Sequence, residues 1–277
     1  MSLLPNYEVD PPTVQGEAAD PDTPPERLAQ IAEEYEEEYH WFLLAANPST
    51  PGPTLEMIAG SWDAYIVAAN PSAPRRLLSR LAEDADVEVR AGVAANLSAP
   101  HHLLERLAED GHRAVQHTVA DNTAASPQIL ERLAAEDDTG SIRAAVARNA
   151  SAPPELLERL ADDRDCSVRQ SVATNRSAPH ELLTRLAGDA DEEVRAFVAG
   201  NPCASQNLLD RLASDRDDYV RAAVAENAAA PLAVLTRLAF DADPTCAGSR
   251  SVARDALRRR PLPDGVEVLL WLGDNPS

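Results

Sequence analysis

The residues whose types and spacing could do chemistry lie in a few places. Glu36 and His40 stand four apart, with Glu33 and Glu37 beside them, and on a helix that spacing puts two potential metal ligands on one face. Charge runs on helices ordinarily face water, so a solvated face that ends the fold is expected there rather than a metal site. His101, His102, His112 and His117 crowd one segment, but two are adjacent and the helical spacing that ligands on one helix would need is missing. They are expected at the surface, with His112 standing where neighbouring segments carry a helix-capping Asp. Cys166, Cys203 and Cys246 are too few and scattered for a disulfide framework or a thiolate metal site, and are expected as small buried or half-buried fillers. No nucleophile motif or phosphate-binding glycine loop occurs. No cofactor is expected.

The remaining candidates are charged columns. One is Arg90, Arg143, Arg169, Arg195 and Arg221, with Gln116 in the gap; a second is Arg80, Arg106, Arg132, Arg159, Arg185, Arg211 and Arg237. Acids follow the second column by four residues, at Asp84, Asp110, Glu136, Asp163, Asp189, Asp215 and Asp241. At that spacing they are expected to pair with it, within or between layers. Paired arginines are not free to track phosphates. Exposed pairs contribute little each, so specificity of stacking is their better motive.

Columns require a repeated element to carry them. The segment VRQSVATNRSAPHELLTRLAGD, residues 168–189, recurs along the chain, and each copy carries an interior Asn: Asn47, Asn70, Asn96, Asn122, Asn149, Asn175, Asn201 and Asn227. Their steps are 23, 26, 26, 27, 26, 26 and 26 residues, a period that marks stacked supersecondary units. Val168, Val172 and Asn175 are spaced i, i+4, i+7 and share one stripe of a helix. The Asn therefore faces inward, where its amide must be hydrogen-bonded, and the eight are expected to form a structural ladder. Pro179 follows four residues later, as do Pro51, Pro74, Pro100, Pro153 and Pro231 at the same offset, and proline suits a helix start. Leu182, Leu183, Leu186 and Ala187 then give a second helix its apolar face. Asp191 is placed to cap the next copy. Burying five or six aliphatic side chains contributes about 10 kcal/mol per copy, less than ordering some two dozen residues costs. One copy should not fold alone, so about nine are expected to stack into an all-α solenoid.

The organisation expected is a loosely ordered arm over 1–16, acidic N-terminal capping repeats over 17–61, regular repeats over 62–247 and a C-terminal cap over 248–277. Asp20 occupies the Asn slot of a first, degenerate copy, and Asp255 that of the last. Trp41, Phe42, Trp62 and Tyr65 at one end and Trp271 at the other read as apolar plugs closing the core. The chain of 277 residues carries a net charge of −21, of which −11 falls on the first 61 residues. That disfavours nucleic acid, which needs a basic footprint, and favours solubility and a basic partner. Lysine is absent and alanine abundant, a usage resembling that of a GC-rich bacterial genome. No signal peptide or membrane span is seen, so a cytoplasmic protein is expected.

The recurring word V-R-x-x-V-A-x-N-x-x-A-P-x-x-L-L-x-R-L-A-x-D, carried by copies such as VRAGVAANLSAPHHLLERLAED and VRAAVAENAAAPLAVLTRLAFD, resembles the leucine-rich repeat variant family over residues from about 18 to 257. The resemblance implies a right-handed superhelix of alternating α- and 3₁₀-helices with a binding or scaffolding role. An iron–sulfur protein in that family carries a cysteine cluster ahead of its repeats, and no such cluster precedes Asn47. More distantly the chain resembles HEAT-like repeats, including lyases and DNA glycosylases.

Three functions follow for comparison. A repeat lines up like groups in columns, whereas catalysis needs unlike groups at one point, so the leading expectation is a non-enzymatic scaffold for a protein or peptide. The exposed slots that change from copy to copy would read the partner: Asp121, Arg148, Thr174 and Glu226 just before the Asn, and Glu105, Glu131 and Glu158 on the second helix. A HEAT-like helical-repeat enzyme or nucleic-acid-processing protein, of the lyase or DNA glycosylase type, and a metal or iron–sulfur protein are the alternatives. Oligomeric state is not encoded in these patterns.

Overall fold

Two short amphipathic segments per copy, separated by a turn too tight for a strand, fold as helix pairs. The computed structural model describes residues 14–35, 38–60, 64–241 and 246–260. They form nineteen helices and, among the described residues, no strand. The chain divides into two compact units, Met1–Leu133 and Ala134–Ser277.

The first unit pairs α1 (Val14–Ala19) with α2 (Pro25–Glu34), α3 (Glu38–Ala46) with α4 (Gly52–Ile58), α5 (Ala64–Ala69) with α6 (Arg75–Leu81), and α7 (Val87–Ala95) with α8 (His101–Leu107). It then runs through α9 (Arg113–Asp121) into α10 (Pro127–Glu136), inside which the division falls. The second unit holds α11 (Ser141–Arg148) and α12 (Pro154–Leu160), α13 (Cys166–Thr174) and α14 (His180–Leu186), α15 (Glu192–Gly200) and α16 (Gln206–Leu212), α17 (Asp218–Glu226) and α18 (Leu232–Ala239), and finally α19 (Ala247–Arg258). Within each unit the odd-numbered helices stack directly on one another, while each even-numbered helix flanks its own layer.

The layer built by α13 and α14 shows why. Val168, Val172, Leu182, Leu183 and Leu186 are all buried, so both helices turn their aliphatic stripes to one seam. Asp191 caps α15 by accepting Glu193 N–H and Val194 N–H, and Asp86, Asp165 and Asp217 cap α7, α13 and α17 likewise. His112 does the same for α9 through Nδ1. Pro179 sits at the N-cap of α14 rather than inside its first turn, and where copies lack the proline, Ser126 and Ser205 offer Oγ to a backbone N–H of α10 and α16. The second helices are α-helical; i→i−3 bonds appear at their closing turns, as from Gly188 N to Arg185 O and from Asp189 N to Leu186 O.

Several expectations shift. α1 begins at Val14, inside the segment read as an arm, and completes a first copy whose Ala18 is fully buried. Trp41 and Phe42 are half-buried but Tyr65 is exposed, and Trp62 and Trp271 lie outside the described residues. Cys166 is half-buried and Cys246 buried as expected, but Cys203 is exposed. It occupies a slot held by serine in most other copies, and its Sγ donates to Arg176 O as Ser177 Oγ donates to Ala150 O.

Candidate functional site

The inward Asn is the most regular polar feature. Asn175 donates from Nδ2 to Ala147 O (2.7 Å) and to Asn149 O (3.0 Å), while Oδ1 accepts Ser177 N–H (2.7 Å). Both donor hydrogens reach back one layer and the acceptor closes the residue's own turn, so the amide is fully satisfied. Asn201 and Asn227 repeat this in the second unit, as do Asn47, Asn70, Asn96 and Asn122 in the first. Asn149 is buried and takes Ser151 N–H on Oδ1. All eight are buried.

On either side of the eight asparagines the slot is filled differently. Asp20 accepts an Asn47 hydrogen on its carbonyl and Asp22 N–H on its carboxylate. At the other end Asp255 does not fill the slot: α19 runs past it, and Asp255 is exposed and paired with Arg258. Arg260 instead donates to the carbonyls of Asn227, Ala228 and Ala230. An arginine five residues beyond the slot recurs only as Arg75 after Asn70, too rarely for the period to reveal it.

The charged columns pair differently from the expectation. Four of the acids, Asp110, Asp163, Asp189 and Asp215, bind the first arginine column, not the second. Arg169 grips Asp189 with Nε and Nη2 (2.8 and 3.0 Å) and donates Nη1 to Asp163 O (2.8 Å). One guanidinium thus brackets two successive inter-layer turns. Arg90 with Asp110, Arg143 with Asp163 and Arg195 with Asp215 repeat the bidentate grip. Gln116 keeps only the carbonyl bond, to Asp110 O. Arg221 pairs with Asp218, whose carboxylate also takes Gly248 and Ser249 N–H at the start of α19. Glu136 is exposed; in the copy with one extra residue Asp137 takes its place, its side chain fully buried.

Electrostatics follow from these contacts. Arg90's hydrogen bond holds the Asp110 carboxyl below the ordinary carboxylate range against the cost of burial. At Asp163, Asp189 and Asp215 burial is the largest influence and opposes ionisation, but the arginine, a backbone N–H and neighbouring positive charge together outweigh it, and these acids too lie low.

In the second arginine column Arg106, Arg132 and Arg185 find acids 23 residues back, whereas Arg237 pairs with Asp210, 27 back. Arg106 meets Glu83 (2.6 Å), Arg132 meets Glu109 (2.7 Å) and Arg185 meets Asp162 (2.6 Å), all at the surface. The reach differs because the second helices point their guanidinium groups along the outside of the stack towards the preceding layer, and the 23-residue spacing was the overlooked signal.

The seven residues expected to read a partner, Asp121, Arg148, Thr174, Glu226, Glu105, Glu131 and Glu158, are all exposed. They do not form one site. Asp121, Arg148, Thr174 and Glu226 end first helices, whereas Glu105, Glu131 and Glu158 lie on second helices. His117 pairs with Asp121 and His101 with Glu105, each at 3.2 Å, and Glu158 lines an open groove of about 470 Å³ with Glu155 and Glu181. Near the acidic run, Glu33 is exposed and His40 is buried with its ring 5.1 Å from that of Tyr35; Glu36 and Glu37 lie outside the described residues. Among the described residues no group of three His, Cys, Asp or Glu is placed to hold a metal, and no helix is long and apolar enough to cross a membrane.

Stacked helix pairs joined by an amide ladder define a helical-repeat protein. The model of the Leucine Rich Repeat Variant domain matches residues 13–64 and 169–228, and that of the Leucine rich repeat variant matches 141–165. The chain is also similar to a solved structure described as a leucine-rich repeat variant with a novel repetitive protein structural motif, at 30% identity over 80% of this chain and 88% of that one, with a TM-score of 0.52. The chain belongs to the leucine-rich repeat variant family. A solved engineered protein is 19% identical over 89% of this chain and 96% of its own, but with a TM-score of 0.20 it carries no argument. No curated protein matches.

Proposed function

We propose that this repeat protein is a non-enzymatic scaffold that holds a protein or peptide along its exposed helix surfaces. One observation carries the reading: buried polar groups repeat from layer to layer and are consumed in joining layers, while the slots that vary are exposed. The slot before each Asn runs through Ala95, Asp121, Arg148, Thr174, Gly200 and Glu226, all exposed. Conserving the joints while varying the surface is how an array presents a readable face. The acidic total favours a basic partner, whose binding weakens as salt rises.

The test compares three forms of the purified chain as bait in native lysate. One carries Glu105→Lys, Glu131→Lys and Glu158→Lys; another carries Asp121→Ala, Arg148→Ala, Thr174→Ala and Glu226→Ala. Circular dichroism should be unchanged, because exposed substitutions shift stability by about 0.5 kcal/mol or less. A protein retained by the parent and lost from one variant supports the reading. Retention of nothing, or equal retention by all three, overturns it.

A further inference from the structure

The second arginine column breaks at Arg211, and the break opens onto a groove. Arg106, Arg132 and Arg185 each hold a carbonyl 27 residues back with Nη2 and an acid 23 residues back with Nη1. Arg211 keeps the first of these bonds, from Nη2 to Thr184 O at 2.9 Å. Its residue 23 back, however, is Gly188, where the other three copies carry Glu83, Glu109 and Asp162. The Nη1 that would meet the acid has no partner among the described residues. Arg237 likewise finds uncharged Ser214 at 23 back, but it takes the Asp210 carboxylate at 3.1 Å instead. Arg211 lacks that recourse, because its residue 27 back is Thr184.

The space left by the missing side chain is open. A Cβ on Gly188 would meet only Arg185 O, at 3.4 Å. A groove of about 480 Å³ lies there, lined by Gly188, Arg211, Ser214 and Arg216 among others. Arg216 is exposed and forms no ion pair among the described residues. Asp189 and Asp215 also line the groove, but Arg169 and Arg195 already hold them, each at 2.8 Å. The groove thus presents two uncommitted guanidinium groups and no uncommitted carboxylate.

We propose that this groove seats a carboxylate of the bound protein or peptide, a Glu or Asp side chain that takes, beside Gly188, the place that Glu83, Glu109 and Asp162 fill in their own layers. The inference rests on the scaffold reading and adds a contact to it. Arg211 Nη1 donates to one carboxylate oxygen, as Arg185 Nη1 does to Asp162 at 2.6 Å. Arg216 and the Ser214 hydroxyl stand on the same groove as donors for the other oxygen. A charge-assisted hydrogen bond is directional, but an exposed one contributes little by itself. The seat therefore fixes where an acidic residue of the partner sits more than how tightly the partner is held. On a chain of net charge −21, a place that accepts an acid gives a mostly basic partner its register.

The experiment follows the arginine Nε–H signals of the full chain by nuclear magnetic resonance as the blocked tripeptide acetyl-Ala-Glu-Ala-amide is added, with its Gln counterpart and acetate in parallel. It is repeated on Gly188→Glu, which supplies the acid that three other copies carry at this slot, and on Arg211→Gln. The expected result is a saturable shift of the Arg211 and Arg216 signals with the Glu peptide, and none at Arg185, whose acid is in place. That shift should vanish in Gly188→Glu, whose own carboxylate fills the seat, and the Arg216 shift should weaken in Arg211→Gln. No saturable shift in the parent, an undiminished shift in Gly188→Glu, or an equal response to the Gln peptide overturns the proposal. Acetate acting as well as the Glu peptide would make the groove a seat for small carboxylates and overturn its assignment to a partner chain. The titration needs no lysate partner, so its failure is distinct from failure of the lysate capture.

Discussion

The two units use the same asparagine ladder but differ in their arginine clamps. In the first, rungs run from Asn47 to Asn122 with one bidentate clamp of the inner arginine column, Arg90 to Asp110; in the second, Asn175 to Asn227 are accompanied by clamps of that column from Arg143, Arg169 and Arg195. Layers thus stack without the clamp but not without the amide. The reason is inventory: the turn after each first helix leaves carbonyls that a donor from the next layer can reach, and a side-chain amide supplies two donors to the preceding layer and one acceptor for its own turn. The clamp is an addition to that joint.

The largest effect should therefore be the same in both units. Asn175→Leu strands Ala147 O, Asn149 O and Ser177 N, and Asn96→Leu strands Ala68 O, Asn70 O and Ser98 N. Each should lower unfolding free energy by about 4 kcal/mol, at about 1–3 per stranded group. Asn→Asp should help little, since it sets oxygen against carbonyl oxygen. Urea midpoints of the two Leu variants that differ widely would break the common-ladder half of the comparison.

Clamp removal should separate the units. The Arg195 side chain is 6% exposed, and Arg195→Ala leaves Asp215 buried without its partner, a loss of about 3 kcal/mol. Arg90 is 17% exposed, so Arg90→Ala should cost about 2 kcal/mol, between buried and exposed limits. Gln116→Ala forfeits one carbonyl bond and about 1 kcal/mol. Equal losses at Arg195 and Gln116 would show that the grip on the carboxylate adds nothing.

Acid should sharpen the same contrast. The clamp carboxyls sit below the unfolded Asp value of about 3.9. Their stabilisation is therefore full above about pH 4 and is lost as pH falls through their depressed folded values. Three such acids lie in the second unit and one in the first, so hydrogen-exchange midpoints measured at pH 7 and pH 3 should drop further for 141–227 than for 64–121. A larger drop in the first unit would contradict this assignment of charge to stability.

The ladder was legible because Asn175 sits at i+7 from Val168 on a stripe that repeats at a fixed period; periodicity alone decides which way such a residue faces. The clamp partners were not legible. Asp189 is four residues from Arg185 in sequence, and local spacing suggested that pair, but the carboxylate lies in the turn between layers, where Arg169 reaches it across the stack. Asp137 displaced Glu136 because one inserted residue rotates the turn, a shift that a column aligned by count misses. Arg260 binds the turn after Asn227 from beyond the last slot that the period marks. Partner-reading residues were legible only as exposed, variable slots, since exposure carries no record of what it meets.

The smallest expected effect concerns the outer arginines. Arg185 and Arg106 both bond an acid 23 residues back and a carbonyl 27 residues back, a geometry as regular as the clamp. Their side chains are 47% and 43% exposed, however. Water competes for both partners and the flexible side chains lose entropy on pairing, so Arg185→Ala and Arg106→Ala should each cost under about 1 kcal/mol. The loss should shrink further in 0.5 M salt, as an exposed charge pair is screened, whereas the Arg195→Ala loss should persist because its partner is buried. If urea titrations in high salt shrink both losses alike, burial is not what separates inner from outer columns, and regular geometry would no longer distinguish a joint from a surface ornament.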